Sequence, residues 1–182
     1  MKRIYLFLSV ALIQLQACST KGNDTTQKFV IGQDYQGGVI FYINSTGQHG
    51  LIASYKYFTA KWGCNDRTVN GASGVEFGTG NQNIKDIVNS CSETGTAAAL
   101  CENLTTDGYS DRYLPSRDEL SHLHLQKMKL TNLFLPAENF WSSSQYGSNS
   151  AWYQHFGGNP GLVSPSVTVK DMVYRICPIR SF

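Results

Sequence analysis

The sequence lacks any hydrophobic run long enough to cross a membrane. Its most apolar stretch, residues 4–13, has ten residues, whereas a membrane-spanning helix needs about 20. Lys2 and Arg3 precede this stretch and small Ala17 follows it, which is the layout of a secretory signal peptide. We therefore predict a signal peptide at residues 1–17 instead of a transmembrane helix.

The chain also lacks an excess of charge of one sign. It has 15 Lys and Arg residues against 13 Asp and Glu residues, and the extra cations, Lys2 and Arg3, lie in the predicted signal peptide. The rest of the chain has no formal net charge and no run of basic residues. Because nucleic acid binding needs a dense cationic surface that displaces phosphate counterions, we expect no nucleic acid partner.

Motifs of metal sites and of enzymes are absent as well. No two cysteines have the CxxC spacing of a zinc site, and there is no EF-hand loop. His122 and His124 would point about 200° from each other on a helix, which is awkward for a shared metal. The serines at residues 142–144 have no Gly-x-Ser-x-Gly elbow, and we expect them to fill tight packing or to bind loop backbone. The sequence predicts no metal, no cofactor and no catalysis.

Five cysteines are present, which is an odd number for a chain with an export signal. Cys18 directly follows the predicted signal peptide and looks like the acylated cysteine of bacterial lipoproteins, which becomes residue one and carries lipid. The alternative is an ordinary secretory signal that is cleaved nearby. The other cysteines are Cys64, Cys91, Cys101 and Cys177. Four cysteines in an oxidising compartment indicate structural disulfides, and they allow three pairings.

Behind Cys18 the composition changes from a polar segment to a folded domain. Residues 19–28 are polar and lack apolar periodicity, so we predict a flexible tether at residues 18–28. From Phe29 onward, short apolar runs alternate with Gly, Asn and Ser, which is typical of many strands and long loops. We predict one domain at residues 29–182.

Strand patterns occur near both ends of this domain. The predicted hairpins pair residues 38–43 with 51–54 and residues 140–145 with 151–156. A last strand is predicted at residues 173–179, where Pro178 makes it irregular or places it at a sheet edge.

Three short helices are predicted between the hairpins. Apolar stripes at residues 84–88 and 97–104 indicate the first two, and threonines before the second offer a cap. The third begins at Ser116, which together with Glu119 has the spacing of a capping box. The chain is therefore predicted to be of the α+β class.

Four segments together resemble a known family. They are residues 37–54 (GGVIFYINSTGQHGLIAS), residues 97–120 (AAALCENLTTDGYSDRYLPSRDEL), residues 140–156 (FWSSSQYGSNSAWYQHF) and residues 175–182 (RICPIRSF). In this order they resemble the C-terminal domain of the Legionella collagen-like adhesin and its relative, the Fibrobacter succinogenes major paralogous domain. The resemblance covers about residues 32–182.

The resemblance implies a C-type-lectin-like fold with a small irregular antiparallel sheet, two or three short helices and long loops. It also implies binding or adhesion at the cell surface, with glycans as one ligand class. A bridge from a helix to the terminal strand is usual in such folds. By resemblance we therefore pair Cys101 with Cys177, which leaves Cys64 for Cys91.

The aromatic content, with 3 Trp, 10 Tyr and 9 Phe, points to a binding surface. Tyr146, Trp152 and Tyr153 lie in or beside a hairpin loop rich in Gly, Ser and Asn. Aromatic rings with amide and hydroxyl groups suit sugar rings or peptide surfaces, so we predict Tyr146, Asn149, Trp152 and Tyr153 as ligand-binding residues. Strand alternation assigns Trp141 to the core and leaves Trp152 open between core and surface.

These observations predict a lipid-anchored protein of the bacterial cell envelope, exported to the outer membrane, whose single domain recognises a glycan. One alternative is a structural or assembly component that binds another envelope protein. An enzyme on a lectin-like scaffold comes third, because no base, nucleophile and oxyanion donor can be assembled from the sequence.

Overall fold

The structure, a computed structural model, describes residues 27–182. The predicted signal peptide, Cys18 and most of the predicted tether lie outside this range. Among residues 27–182, no helix is both long and apolar enough to span a membrane. The elements in chain order are β1 (Asp34–Tyr35), β2 (Gly38–Ile43), β3 (Gly50–Ser54), β4 (Phe58–Lys61), α1 (Gly80–Ser90), α2 (Ala97–Glu102), α3 (Arg117–Gln126), a 3-10 turn (Lys127–Lys129), β5 (Asn139–Gln145), β6 (Ser150–His155), β7 (Ser166–Val169), β8 (Val173–Ile176) and β9 (Ile179–Ser181).

Four strands form an antiparallel sheet, sheet A, in the order β1, β2, β3 and β9. Its centre is the predicted hairpin of β2 and β3, in which Val39 lies opposite Ala53 and Ile40 lies opposite Ile52. All four side chains are fully buried. The β-branched and aromatic residues of β2 favour such a strand, because they pack well on a pleated surface.

The other five strands form sheet B, in the order β4, β8, β5, β6 and β7. The second predicted hairpin, β5 and β6, lies in this sheet with Trp141 opposite Tyr153. Strand β8 runs parallel to β5, where Arg175 lies opposite Phe140. The expected single antiparallel sheet is therefore corrected to two sheets, one of them mixed. The α+β class is confirmed.

Pro178 lies between the last two strands, which belong to different sheets. The strand predicted at residues 173–179 is interrupted there, so that β8 joins sheet B and β9 joins sheet A. Proline has no N–H to donate to a strand ladder, but its carbonyl accepts a hydrogen bond from the Ser54 amide at 2.9 Å. Tyr113 and Ile179 form an isolated antiparallel bridge beyond this point.

Helices α1 and α3 pack on the sheets, and their N-terminal ends lie side by side. Helix α3 contacts β2 of sheet A as well as β5 and β6 of sheet B. The Ser116 hydroxyl accepts from the Glu119 amide at 3.3 Å, and the Glu119 carboxylate accepts from the Ser116 amide at 2.7 Å, which confirms the predicted capping box. Gly80 begins α1 beside this cap, where a Cβ would lie 2.4 Å from a Glu119 oxygen. Only glycine lets the two helix starts approach so closely.

One of the two predicted disulfides is formed. Cys64 and Cys91 are bonded, which confirms their pairing. Cys101 and Cys177 are instead buried free thiols, so their predicted bridge is corrected. The Cys177 thiol donates towards the Ser54 carbonyl oxygen, 4.0 Å away. Burial raises the pKa of the Cys101 thiol and raises the pKa of Cys177 to about 12, so both are protonated at neutral pH.

Candidate functional site

The turn between β5 and β6, residues 146–149, carries two of the predicted ligand residues. Tyr146 is 64% exposed, and Asn149 is exposed beside it. The amides of Tyr146 and Gly147 both donate to the Ser150 carbonyl at 3.0 Å. The hairpin loop is therefore a short hydrogen-bonded turn at one end of sheet B.

Lys170, which directly follows β7, holds this turn from inside the domain. Its amide donates to the Asn149 carbonyl at 2.9 Å. Its ammonium is surrounded by four oxygens, which we call the Lys170 cage. These are Arg67 O and Ser148 O at 2.8 Å, Gln145 Oε1 at 2.9 Å and Cys64 O at 3.4 Å. The cage links the hairpin turn to residues 64–67, in the loop that follows β4 and contains the disulfide-bonded Cys64.

The Lys170 ammonium is buried among neutral groups. The side chain has no exposed surface, and its nitrogen lies 4.6 Å from the centre of the Trp62 ring. Burial lowers the pKa of Lys170 to about 8, and the negative charge of Asp66 opposes this shift. Carbonyl oxygens thus replace water around a buried cation, which holds the two loops at a fixed distance.

Trp152 lies next to Tyr146 and is half-buried. The two rings meet edge to face with centroids 5.3 Å apart. The Arg117 guanidinium, at the start of α3, lies over the Trp152 ring at 5.1 Å from its centroid and forms an ion pair with Asp118 at 2.8 Å. Trp152 therefore belongs to a surface shared by the hairpin and the α3 N-terminus. We call Tyr146, Asn149, Trp152 and Arg117 the hairpin site.

Tyr153 does not join this site. Adjacent residues of a strand point to opposite faces, and Tyr153 packs instead against Trp141 and Tyr174 with centroid distances of 6.3 Å and 5.1 Å. Trp141 is 0% exposed, which confirms its assignment to the core. The structure thus separates the predicted residues and gives Tyr153 a packing contact on the other face of sheet B.

The serines of β5 bond to backbone and neighbouring side chains, as predicted. All three are fully buried. Ser142 donates to the Trp152 carbonyl at 2.9 Å, and Ser144 donates to the Gly74 carbonyl at 2.6 Å. Ser143 accepts from the Asn83 amide group at 3.1 Å. The Ser144 bond connects the hairpin to the loop before α1, the Ser143 bond connects it to α1 itself, and the Ser142 bond joins the two strands of the hairpin.

A second concave surface, which the sequence did not indicate, lies beside sheet A. This aromatic groove has a volume of about 460 Å³ and is lined by Tyr42, Asn44, His49, Gly50, Leu51, Phe77, Gly78, Asn81, Tyr113, Glu119, Ser181 and Phe182. Tyr42 and Phe77 form one wall with ring centroids 4.4 Å apart. Phe182 lies over Gly50, where a Cβ would be 2.7 Å from its ring. Four separate chain segments build the groove, so no local motif could reveal it.

The acidic group of the aromatic groove is already hydrogen-bonded. Glu119 is 0% exposed and accepts from the Gly78 and Ser116 amides at 3.0 Å and 2.7 Å. Burial raises the pKa of the Glu119 carboxyl, and these hydrogen bonds oppose the shift. Burial also raises the pKa of Tyr113. The carboxylate therefore stabilises the helix start, while the groove offers mainly aromatic rings and neutral amides to a ligand.

The disulfide uses both cysteines of the metal-ligand residues that cluster in the described part of the chain. Within residues 27–182, Cys64, Cys91 and Glu93 form the one compact group of metal-ligand types, and both of its sulfurs are used in the disulfide. His122 packs edge to face against Tyr42 at 5.4 Å, whereas His124 packs against Phe156 at 4.9 Å. The two histidines thus contact different parts of the core.

Comparison with known proteins shows a likeness in fold. No protein-family model matches the chain, and no curated protein matches it at a significant level. Among solved structures, the chain is similar to a fimbrial protein from Bacteroides ovatus, with a TM-score of 0.55 and 12% sequence identity. The match covers 78% of this chain and 43% of that chain. At this identity the likeness shows a shared fold and nothing about a ligand.

Proposed function

We propose that this protein is a lipid-anchored binding module of the bacterial cell envelope, which recognises a glycan through the hairpin site. The observation that supports this most directly is the exposed Tyr146 ring beside Trp152 and Asn149, on a turn that is fixed by the Lys170 cage. A binding surface on loops that are held by a rigid scaffold is the usual arrangement in recognition domains. The fold likeness to a fimbrial protein agrees with a surface role.

The chemistry of the hairpin site favours a neutral or weakly anionic sugar. Tyr146 offers an exposed ring face and edge, and Asn149 offers an amide that can both donate and accept hydrogen bonds. Arg117 adds a cation whose charge is partly offset by Asp118 at 2.8 Å. Aromatic contact and hydrogen bonds therefore supply the affinity, so binding should change little with moderate salt or with a chelator.

Membership of the Legionella collagen-like adhesin family and a C-type-lectin-like arrangement of the two sheets belong to the same proposal. They are supported by the four quoted segments and by the α+β architecture with short helices and a disulfide. The alternative function is assembly with another envelope protein. It would use the same exposed turn as a protein contact.

The anchor is tested by changing Cys18 to serine. The lipidated chain should be found in the membrane fraction and should incorporate a palmitate analogue, because each buried acyl methylene contributes about 0.8 kcal/mol. The Cys18→Ser chain should be released in folded form. Membrane retention without label would contradict the anchor.

Recognition is tested with the full Cys18→Ser chain on a glycan array, together with pull-down from surface-labelled cells. Binding to defined glycans that resists a chelator supports the proposal. Protein capture with an empty array supports the assembly alternative.

A further inference from the structure

We propose that an apolar patch at the C-terminal end of α3, formed by Met128 and Phe134, rests in the interfacial region of the membrane to which the protein is anchored. This inference rests on the proposed lipid anchor. It assigns the partner as a phospholipid surface and gives the domain a fixed orientation.

The patch is the most exposed apolar surface of this part of the domain. Met128 is 73% exposed and Phe134 is 69% exposed. They border a shallow groove of about 480 Å³. The leucines between and beside them, Leu130, Leu133 and Leu135, are at most 7% exposed. The segment therefore fills the core with its leucines and leaves two large apolar side chains directed away from it.

The chain enters the domain beside this patch. Val30 is 53% exposed, and the backbone of Gly32 lies so near the Lys129 carbonyl that a Cβ would be 2.5 Å from its oxygen. The Asn132 amide group donates to the Asp34 carboxylate at 3.2 Å. The first residues of the domain are thus fixed against the segment that carries Met128 and Phe134.

The distance to the anchor leaves the patch within reach of the bilayer. Gln27 comes nine positions after Cys18, and nine Cα–Cα steps of about 3.3–3.6 Å each span at most about 32 Å, whatever their conformation. A lipid on Cys18 therefore keeps this end of the domain near the membrane surface. Met128 and Phe134, which lie at that end of the domain, therefore come into frequent contact with the membrane interface.

The charges around the patch suit a phospholipid surface. Lys28 and Lys129 are both exposed, and they can meet lipid phosphates while Met128 and Phe134 enter the headgroup and acyl boundary. The Lys127 ammonium is held inward, where it donates to the Phe156 carbonyl at 2.6 Å. Apolar side chains flanked by lysines are typical of surfaces that lie in the membrane interface.

The orientation that follows agrees with the hairpin site. Arg117 contacts Trp152 at the start of α3, whereas the patch follows the helix end at Gln126. Ten helical residues span about 15 Å along the helix axis. The patch and the hairpin site thus lie at opposite ends of α3, so a domain that rests on the patch directs its hairpin site away from the membrane.

The experiment uses the lipidated full chain in vesicles of phosphatidylcholine and phosphatidylglycerol, with and without bromine on the acyl chains. Phe134→Trp places a fluorophore in the patch, and Tyr146→Trp is the matched control at the hairpin site. Wild-type emission is subtracted. We expect blue-shifted emission and bromine quenching for Phe134→Trp and neither effect for Tyr146→Trp. Equal, water-like emission from both variants in palmitate-labelled protein would overturn the proposal while leaving the anchor intact.

If the palmitate analogue does not label the chain, the anchor fails and the patch is tested by itself. The unlipidated chain is then sedimented with the same vesicles. Binding that falls by roughly thirtyfold in the variant with both Met128→Gln and Phe134→Gln supports the patch as a membrane contact. Absence of vesicle binding overturns it. A dimer that is dissolved by Phe134→Gln also overturns it, because the patch would then be covered by a second copy.

Discussion

Replacing Lys170 with methionine should destabilise the domain more than any single surface substitution. The new side chain has a similar length but offers no donor, so Arg67 O and Ser148 O lose partners at 2.8 Å. Gln145 Oε1 keeps the Val69 amide at 2.8 Å. Each carbonyl that is left without a donor costs about 1–3 kcal/mol. Relief of the buried charge offsets part of this cost, which leaves about 2–4 kcal/mol.

This loss can be measured by urea and thermal unfolding of the full Cys18→Ser chain. For a domain of this size, 1 kcal/mol corresponds to a shift in Tm of about 2–4 °C, so Lys170→Met should lower Tm by roughly 4–16 °C. The matched control is Lys61→Met, because Lys61 is half exposed in an ion pair with Asp171 at 3.3 Å, and surface pairs contribute about 0–1 kcal/mol. Hydrogen exchange should also speed up at residues 146–150. Equal stability of the two variants would refute the structural role of the Lys170 cage.

Three further outcomes follow from the fold. Ser116→Ala should cost about 1 kcal/mol through the lost helix cap, measured by urea unfolding; an unchanged free energy of unfolding would show that the cap does not contribute to stability. Burial lowers the pKa of the His124 imidazole, so as pH falls the imidazole becomes protonated in the unfolded chain before it does so in the folded one. The free energy of unfolding should therefore fall as pH drops below about 6.5. His124→Gln should flatten that dependence, and an unchanged slope would exclude His124 as its cause. The variant with both Cys64→Ala and Cys91→Ala should lose about 3.5 kcal/mol, because the bridge closes a loop with a sequence separation of 27. Peptide mapping without reduction should recover this bridge and leave the other two cysteines of the domain as thiols, and a bond between those two would contradict the structure.

Local features of the fold were predictable because their causes are local. The capping box needs only Ser116 and Glu119 at a fixed spacing, and the structure has both of its hydrogen bonds. The two hairpins followed from β-branched and aromatic runs around glycine-rich turns, and their strand ends agree within one residue. The interruption at Pro178 was also signalled, since proline cannot donate to a ladder.

The assignment of β8 and β9 to different sheets was not predictable from that interruption. The assignment depends on which distant strand β8 pairs with and which distant strand β9 pairs with. Strand β8 pairs with β4 and β5, whereas β9 pairs with β3. Strand partners are set by the packing of the whole domain, so a local break reveals where a strand ends but not what it joins next.

The candidate site was also hard to predict, because its residues come together only when the whole domain packs. Lysine is seldom fully buried, so Lys170 gave no signal, and three of the four cage oxygens are backbone carbonyls, which any residue can supply. Trp152 and Tyr153 were predicted together although strand alternation separates neighbours. Closer use of that rule would have placed Tyr153 on the opposite face of the sheet from Trp152. Arg117 could be added only once α3 was placed beside the hairpin.

The central claim, glycan recognition at the hairpin site, is tested most directly by calorimetric titration of the best glycan from the array into three full chains. These are the Cys18→Ser chain and the same chain with Trp152→Ala or, as a matched control, Phe77→Ala in the aromatic groove. Truncating a well-placed aromatic residue costs about 2 kcal/mol or more, roughly thirtyfold in Kd. We predict that loss for Trp152→Ala in a chain that still unfolds cooperatively, and no change in Kd for Phe77→Ala. Unchanged affinity in Trp152→Ala, or a loss confined to Phe77→Ala, would contradict the claim and place the ligand in the aromatic groove or elsewhere on the domain.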